Sequence, residues 1–410
     1  MSITVAKTVH IPPEWLDEVA EPHPEGFFGI YVIECNTAYR FKTGQDLTQI
    51  YGGTISSDVW GKYFQRCSAD NGSTWSPPAV IYRPRHTGAG TVRWNEGCLF
   101  LDEEENYLCH FVNYSIYTKN VITEDSEKRV RILERISTDG GQTFSEKQLI
   151  QRGHDETNWA AGVVCGQSRI CVSFPAPLRL RNGRILLPIS RTSYTKGNAS
   201  VFTRQNEAGC MIGQWQDGHI DWDLSAMVSI PPSLSSRGLC EPALAEMADG
   251  SILMIMRGSN YGLAGVPGHK WQSLSQDGGR TWSAPVPWTY RTGERFFSPA
   301  SGSRLIRNSC NGKLYWIGNI TPDNPAASVP RYPLQIAEVD EQSKAIVKES
   351  VSIIDDRQAG DGPETQLSNF RVYEDRLTHE FVLHLARVGE RGGKDRASPA
   401  YRYLINTGDI

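Results

Sequence analysis

The sequence predicts an all-β fold, a six-bladed β-propeller, on three observations. One short motif, Ser-x-Asp-x-Gly-x-Thr-aromatic, occurs three times, at Ser68–Trp75, Ser137–Phe144 and Ser275–Trp282. The copies are regularly spaced: Asp139 follows Asp70 by 69 residues, and Asp277 follows Asp139 by twice that. A 410-residue chain therefore holds about six such units, with decayed copies between the clear ones. Each unit has room for four short strands and their turns, and the 38 Gly and 23 Pro suit a turn-rich all-β chain.

The motif has a physical logic as a turn. The Asp carboxylate bonds amides of its own turn, Gly accepts positive φ, and the aromatic anchors the hairpin on the blade core. Its three Asp residues are read as structural. The missing copies fall at Asn206–Gly209, read as a turn remnant, and at Asp340–Lys344, read as a worn hairpin.

The remaining elements follow in order. Residues 1–25 carry Pro12, Pro13, Pro22 and Pro24, and are expected to wrap one face or close the ring of a single domain spanning 1–410. Gly29–Ile33 and Lys62–Arg66 read as strands. So do Arg184–Ile189 after the turn Asn182-Gly183, and Ser251–Arg257 after Asp249-Gly250. Lys119–Lys128 is a polar insertion. Gly389–Ala397 is a charged, Gly-rich loop before a last strand at Tyr401–Leu404. No helix is expected beyond short loop turns.

Composition narrows the function. Forty-two basic against 46 acidic residues give a net charge of −4, which argues against nucleic acid as a partner. No apolar run has the length of a signal peptide or a membrane span. The nine Cys form no Cys-x-x-Cys pair, and Cys98 and Cys171 lie in apolar runs, so buried reduced thiols and a cytoplasmic setting are expected. No metal site has clear ligand spacing and no cofactor is implied; loop carboxylates would suit at most a structural Ca²⁺. Eleven Trp and 16 Tyr serve blade packing and sugar stacking alike.

The three motifs resemble the Asp boxes, or BNR repeats, of the sialidase (neuraminidase) superfamily, and the resemblance runs from about Tyr39 to Leu385. It implies a propeller of sialidase type, an acidic oligosaccharide or glycoconjugate as partner, and hydrolysis at a terminal acidic sugar. Leu239–Leu244 with Asp249–Arg257 is similar to the stretch that supplies a buried Glu and one member of an arginine triad, which places those roles on Glu241 and Arg257. Arg331, opening Arg331–Ala337, matches the triad's third arginine. The Arg-Ile-Pro element of the first is lacking, and Arg40 is the nearest substitute. Asp58 stands where the general acid would lie, and fits a turn aspartate after Ser56-Ser57 as well. The nucleophilic Tyr position reads Leu367; Tyr373 is the nearest phenol, with Arg371 a further cation.

Two other functions stay open. Some Asp-box propellers resemble polysaccharide lyases acting on uronic acids, which remove a proton beside a neutralised carboxylate. His86, read as a loop residue close to Arg83 and Arg85, would be the base of such a reaction and Tyr194 its partner at the substrate, whereas His110 reads as a core residue. A non-catalytic glycan-binding propeller would keep the Asp boxes without a convergent set of charged side chains.

Overall fold

Strands that neighbour in sequence pair in space, antiparallel in every described register, and build six sheets. The structure is a computed structural model and describes residues 3–20, 31–56, 58–118, 128–164, 168–172, 175–193, 205–391 and 397–408. Of the insertion read at Lys119–Lys128, residues 119–127 lie outside the described residues, as do residues 392–396 of the Gly-rich loop.

Three sheets belong to a first unit formed by residues 1–147, 308–311 and 357–410. The N-terminal strand β1 (Thr4–Ile11) is the outer strand of one of them. The next sheet runs β2 (Ile33–Tyr39), β3 (Leu47–Ser56), β4 (Val59–Ser68) and β5 (Ala79–Tyr82). The one after it runs β6 (Arg85–Thr87), β7 (Gly90–Asp102), β8 (Tyr107–Tyr117), β9 (Lys128–Ser137) and β10 (Ser145–Gln148).

The second unit, residues 148–307 and 312–356, holds three more. The first has β11 (Ser168–Val172), β12 (Leu178–Arg179), β13 (Ile185–Ser193), β14 (Gln205–Gln216) and β15 (His219–Leu224). Then come β16 (Cys240–Glu246), β17 (Ile252–Arg257), β18 (Lys270–Ser275) and β19 (Val286–Pro287). The third has β20 (Arg304–Arg307), β21 (Leu314–Gly318), β22 (Leu334–Asp340), β23 (Ala345–Ile346) and β24 (Ser352–Asp355). In the first unit, β25 (Phe370–Glu374), β26 (Phe381–Ala386) and β27 (Ala400–Asn406) complete the sheet of β1, whose Thr4 pairs with Asn406 and Val9 with Tyr401. Six such sheets in succession make a six-bladed β-propeller of sialidase type.

Each Asp box closes the turn between the last two strands of its sheet. In the first, Ser68 Oγ donates to Asp70 Oδ1 and accepts from the Gly72 amide, both at 2.8 Å; Thr74 Oγ1 donates to Asp70 Oδ2 at 2.6 Å. The boxes at Asp139 and Asp277 repeat these bonds. Asn71, with φ of 55°, stands where the other two boxes carry Gly140 and Gly278, because Asn is among the few side chains that tolerate the left-handed region.

Asp340–Lys344 forms the turn between β22 and β23, as the spacing predicts. Asn206–Gly209 is not a turn but part of β14; the turn of that sheet is Asp217-Gly218. Residues 15–19 form a short helix, α1 (Trp15–Val19), against expectation. Its apolar residues Trp15 and Val19 pack onto β3, where a side chain at Gly53 would collide with the Trp15 ring.

Apolar clusters lie between successive sheets within each unit. In the second, Leu186, Met254 and Met256 fill one layer, and Trp288, Phe296 and Trp316 another. These layers fix the strands whose ends carry the charged residues described next.

Candidate functional site

The strand β16 is irregular where it matters. Cys240 pairs with Arg257, the register resumes only at Ala243 opposite Ile255, and Glu241 between them has a φ of 51°. A bulge breaks the alternation of a strand and re-aims a side chain. The Glu241 amide is satisfied by Ser190 Oγ at 3.0 Å, and its carboxylate accepts from the Arg257 guanidinium at 2.5 Å. Both side chains stay partly exposed, Glu241 at 25% and Arg257 at 15%.

Arg257 ends β17 and Lys270 opens β18 directly opposite, so the two cations project from one face. Lys270 is fully buried. Its ammonium donates to the Ser301 carbonyl, and lies 3.4 Å from both the Pro299 carbonyl and Ser301 Oγ. Arg331, just ahead of β22, donates to the Ala300 carbonyl at 2.9 Å. The Ala300 amide in turn bonds the Ala327 carbonyl at 2.8 Å.

Three cations thus surround one carboxylate. Burial pushes the Glu241 carboxyl up, but Arg257, Arg331 and Lys270 outweigh it and hold it below its ordinary value. Burial pulls the Lys270 ammonium down, helped by the charges of Arg257 and Arg331 and opposed by Glu241, to about 7. The group is an ionised Glu in a positive surround, with a surplus of charge suited to an anion.

Glu241, Arg257 and Arg331 are therefore brought together; the other expected residues are not in this group. Arg40 is corrected: it follows the far end of β2 and donates to the Gly140 carbonyl of the second Asp box at 2.6 Å, a turn anchor rather than an anion ligand. Tyr373 is also corrected. It packs edge-on to Tyr39 and beside His384, and burial pushes its phenol up, the reverse of what a nucleophile needs. Leu367 is fully buried.

Asp58 lies exposed in the β3–β4 turn with φ of 57°, as turn chemistry requires. His86 lies not in a loop but in the short strand β6, exposed, with Thr91 Oγ1 at 3.0 Å from its Nδ1. Among the described residues no hydrogen bond or ion pair joins Arg40, Asp58, His86 and Tyr373 to one another. Tyr194 lies outside the described residues. His110 is buried in β8, as expected of a core residue.

Two features escaped the sequence reading. Lys270 is one; its signal was a hairpin whose apolar strands end in Arg257 and restart at Lys270. The other is a buried pair in the first unit, where Arg371 donates to Glu34, both under a tenth exposed, and lies 3.5 Å from the Gly97 carbonyl. No sequence pattern joins residues so far apart.

The fold and its repeated turns define an Asp-box propeller. The chain belongs to the BNR repeat-like domain family, whose model matches residues 58–390. No curated protein matches the sequence. Among solved structures, the chain is similar to the NanB sialidase from Streptococcus pneumoniae in complex with 2-[(3-chlorobenzyl)ammonio]ethanesulfonate, at 14% identity and a TM-score of 0.60, over 94% of this chain and 70% of that one. It is similar to the Trypanosoma rangeli sialidase in complex with sialic acid at 12% identity and 0.59, over 99% and 59%. The Penicillium chrysogenum alpha-L-arabinanase complexed with arabinobiose gives 12% identity and 0.53, over 99% and 98%. These likenesses show the fold, shared by glycosidases of different substrates.

Proposed function

We propose that Arg257 and Arg331, beside Glu241 and with the buried charge of Lys270 behind them, hold the carboxylate of an acidic sugar, and that the protein hydrolyses the glycosidic bond at that sugar. The observation that carries this reading is the charge imbalance: three cations face one carboxylate in a partly buried place, and a bound anion balances them. Arg257 and Arg331 supply planar, bidentate donors for a carboxylate. Ionised Glu241 is placed to stabilise the positive charge that develops at a sugar's anomeric carbon, or to polarise a water.

The attacking group in this reading is water. Tyr373 packs against Tyr39 and His384 with its phenol pushed up by burial, and Leu367 offers no oxygen. The same observation favours a second reading, a propeller that binds acidic glycans without cleaving them. Elimination gains nothing from the structure, since His86 is exposed and its described hydrogen bond goes to Thr91.

The test is mass spectrometry of products from a panel of sialosides and uronate-containing oligosaccharides. Hydrolysis predicts products whose summed mass includes one water, and no covalent glycosyl–protein adduct in acid-quenched samples. An unsaturated product, with no water gained, would exclude it. Tight binding of the acids with no product would establish the second reading.

A further inference from the structure

The Pro299–Ser301 loop is gripped from two sides by cations of the site. Lys270 takes the carbonyls of Ser301 and Pro299 together with Ser301 Oγ, and Arg331 takes the carbonyl of the residue between them, Ala300. Lys270 has no exposed surface, so it does not meet a ligand itself. Its position opposite Arg257 in the β17–β18 register nevertheless puts its charge among those of the site. A buried ammonium costs free energy unless its charge is compensated. Carbonyl dipoles and Glu241 compensate it in part, while Arg257 and Arg331 oppose it.

We infer that Lys270 is the positioning residue of this site: it fixes the Pro299–Ser301 loop that aims Arg331, and it takes up a proton as an anion arrives. The inference rests on the proposed anion-binding reading and adds to it the coupling between ligand and proton. The groups whose charges act on the ammonium are Arg257 on β17, Glu241 and Cys240 on β16, and Arg331 ahead of β22. A carboxylate placed on Arg257 and Arg331 offsets the two charges that disfavour the ammonium, so the bound complex holds the Lys270 proton more firmly than the empty site. With the ammonium pulled down to about 7 in the empty site, the sign follows: below that pH Lys270 is already charged, and above it binding must bring a proton. Affinity for an anion therefore falls as pH rises through 7 toward 8.5.

The experiment is isothermal calorimetry of the full chain with free N-acetylneuraminic acid and free D-glucuronic acid, from pH 6.0 to 8.5. At pH 7.5 it is repeated in buffers of different ionisation enthalpy. The wild type is expected to bind at least one acid several-fold more tightly at pH 6.0 than at 8.5, with fractional proton uptake at 7.5. Lys270→Met is expected to weaken binding about tenfold at pH 6.0 and to abolish the uptake. Lys270→Arg, charged at every pH in the range, is expected to restore affinity at pH 8.5 without uptake. Proton uptake that persists in Lys270→Met overturns the inference, as does a flat wild-type pH profile with no uptake; the latter needs no variant to fold. In both cases the acid still binds and the underlying reading stands. Failure of the wild type to bind either acid at any pH overturns both.

Discussion

Glu241→Gln is expected to reduce turnover of an acidic glycoside by at least ~100-fold while tightening the binding of the free acid several-fold. The two effects have opposite signs because the carboxylate plays opposite parts. In the complex it is a like charge beside the ligand's own carboxylate, and removing it relieves a repulsion on the order of 1 kcal/mol or more after screening. In the reaction it is the anion placed to stabilise developing positive charge or to polarise water, a role whose loss typically costs ~10²–10⁴ in rate. Gln keeps the shape and can still accept from the Arg257 guanidinium, now 2.5 Å from the Glu241 carboxylate, so the arginine is not set loose. Product formation by mass spectrometry and affinity by calorimetry measure the two effects separately. Loss of both together would make Glu241 only a brace for Arg257. Unchanged turnover would remove it from the chemistry.

The different parts of this molecule were legible to different degrees, for physical reasons. Asp-box turns are local: the Ser, Asp, Gly and Thr that bond one another lie within seven residues, so the motif declares its hairpin. Spacing is a weaker guide, because it assumes equal connections. The long β13–β14 connection carries the decayed copy on to Asp217-Gly218 and leaves Asn206–Gly209 inside a strand.

The pairing of Glu241 with Arg257 was readable because both sit at the facing ends of adjacent strands. Lys270 was not, since its burial comes from the distant loop 299–301 folding over it, and one lysine among 42 basic residues carries no mark of that. Arg40 shows the converse. A cation at a plausible distance along the chain says nothing about which end of its strand it occupies, and Arg40 lies beyond the end of β2, six residues past the buried Glu34 near its start.

His384→Phe is expected to stabilise the protein at pH 7.5 and to blunt its loss of stability in acid. His384 lies on β26 with 3% exposure, stacked on His10 at 4.2 Å between ring centroids, and neither of its ring nitrogens has a hydrogen-bond partner among the described residues. An apolar ring in that place removes an unsatisfied buried donor, worth about 1–3 kcal/mol. Burial holds the imidazole well below its ordinary value, with His10, Arg402 and Arg66 adding to the effect. His10 is pulled down to about 3 by burial and Arg66, against the pull of its Gln49 bond, and His110 is lowered by burial and Arg135.

The sign follows from proton counts. Below 6.5 the unfolded chain takes protons on these rings that the folded chain refuses, so the stability present above 6.5 is lost progressively as pH falls toward the folded values. At pH 5.0 the loss is about 2 kcal/mol for each buried ring. The Asp-box carboxylates do not confuse this interval: hydrogen bonds from Thr74 hold Asp70 at about 2, and for Asp277 those from Thr281 outweigh burial to the same effect, so both stay charged at pH 5.0. Urea unfolding at pH 7.5 and 5.0 should show the variant losing about 2 kcal/mol less than the wild type between the two. Equal acid losses would mean that His384 is protonated in the folded protein, and that the stacked pair is held open to solvent rather than sealed between its sheets.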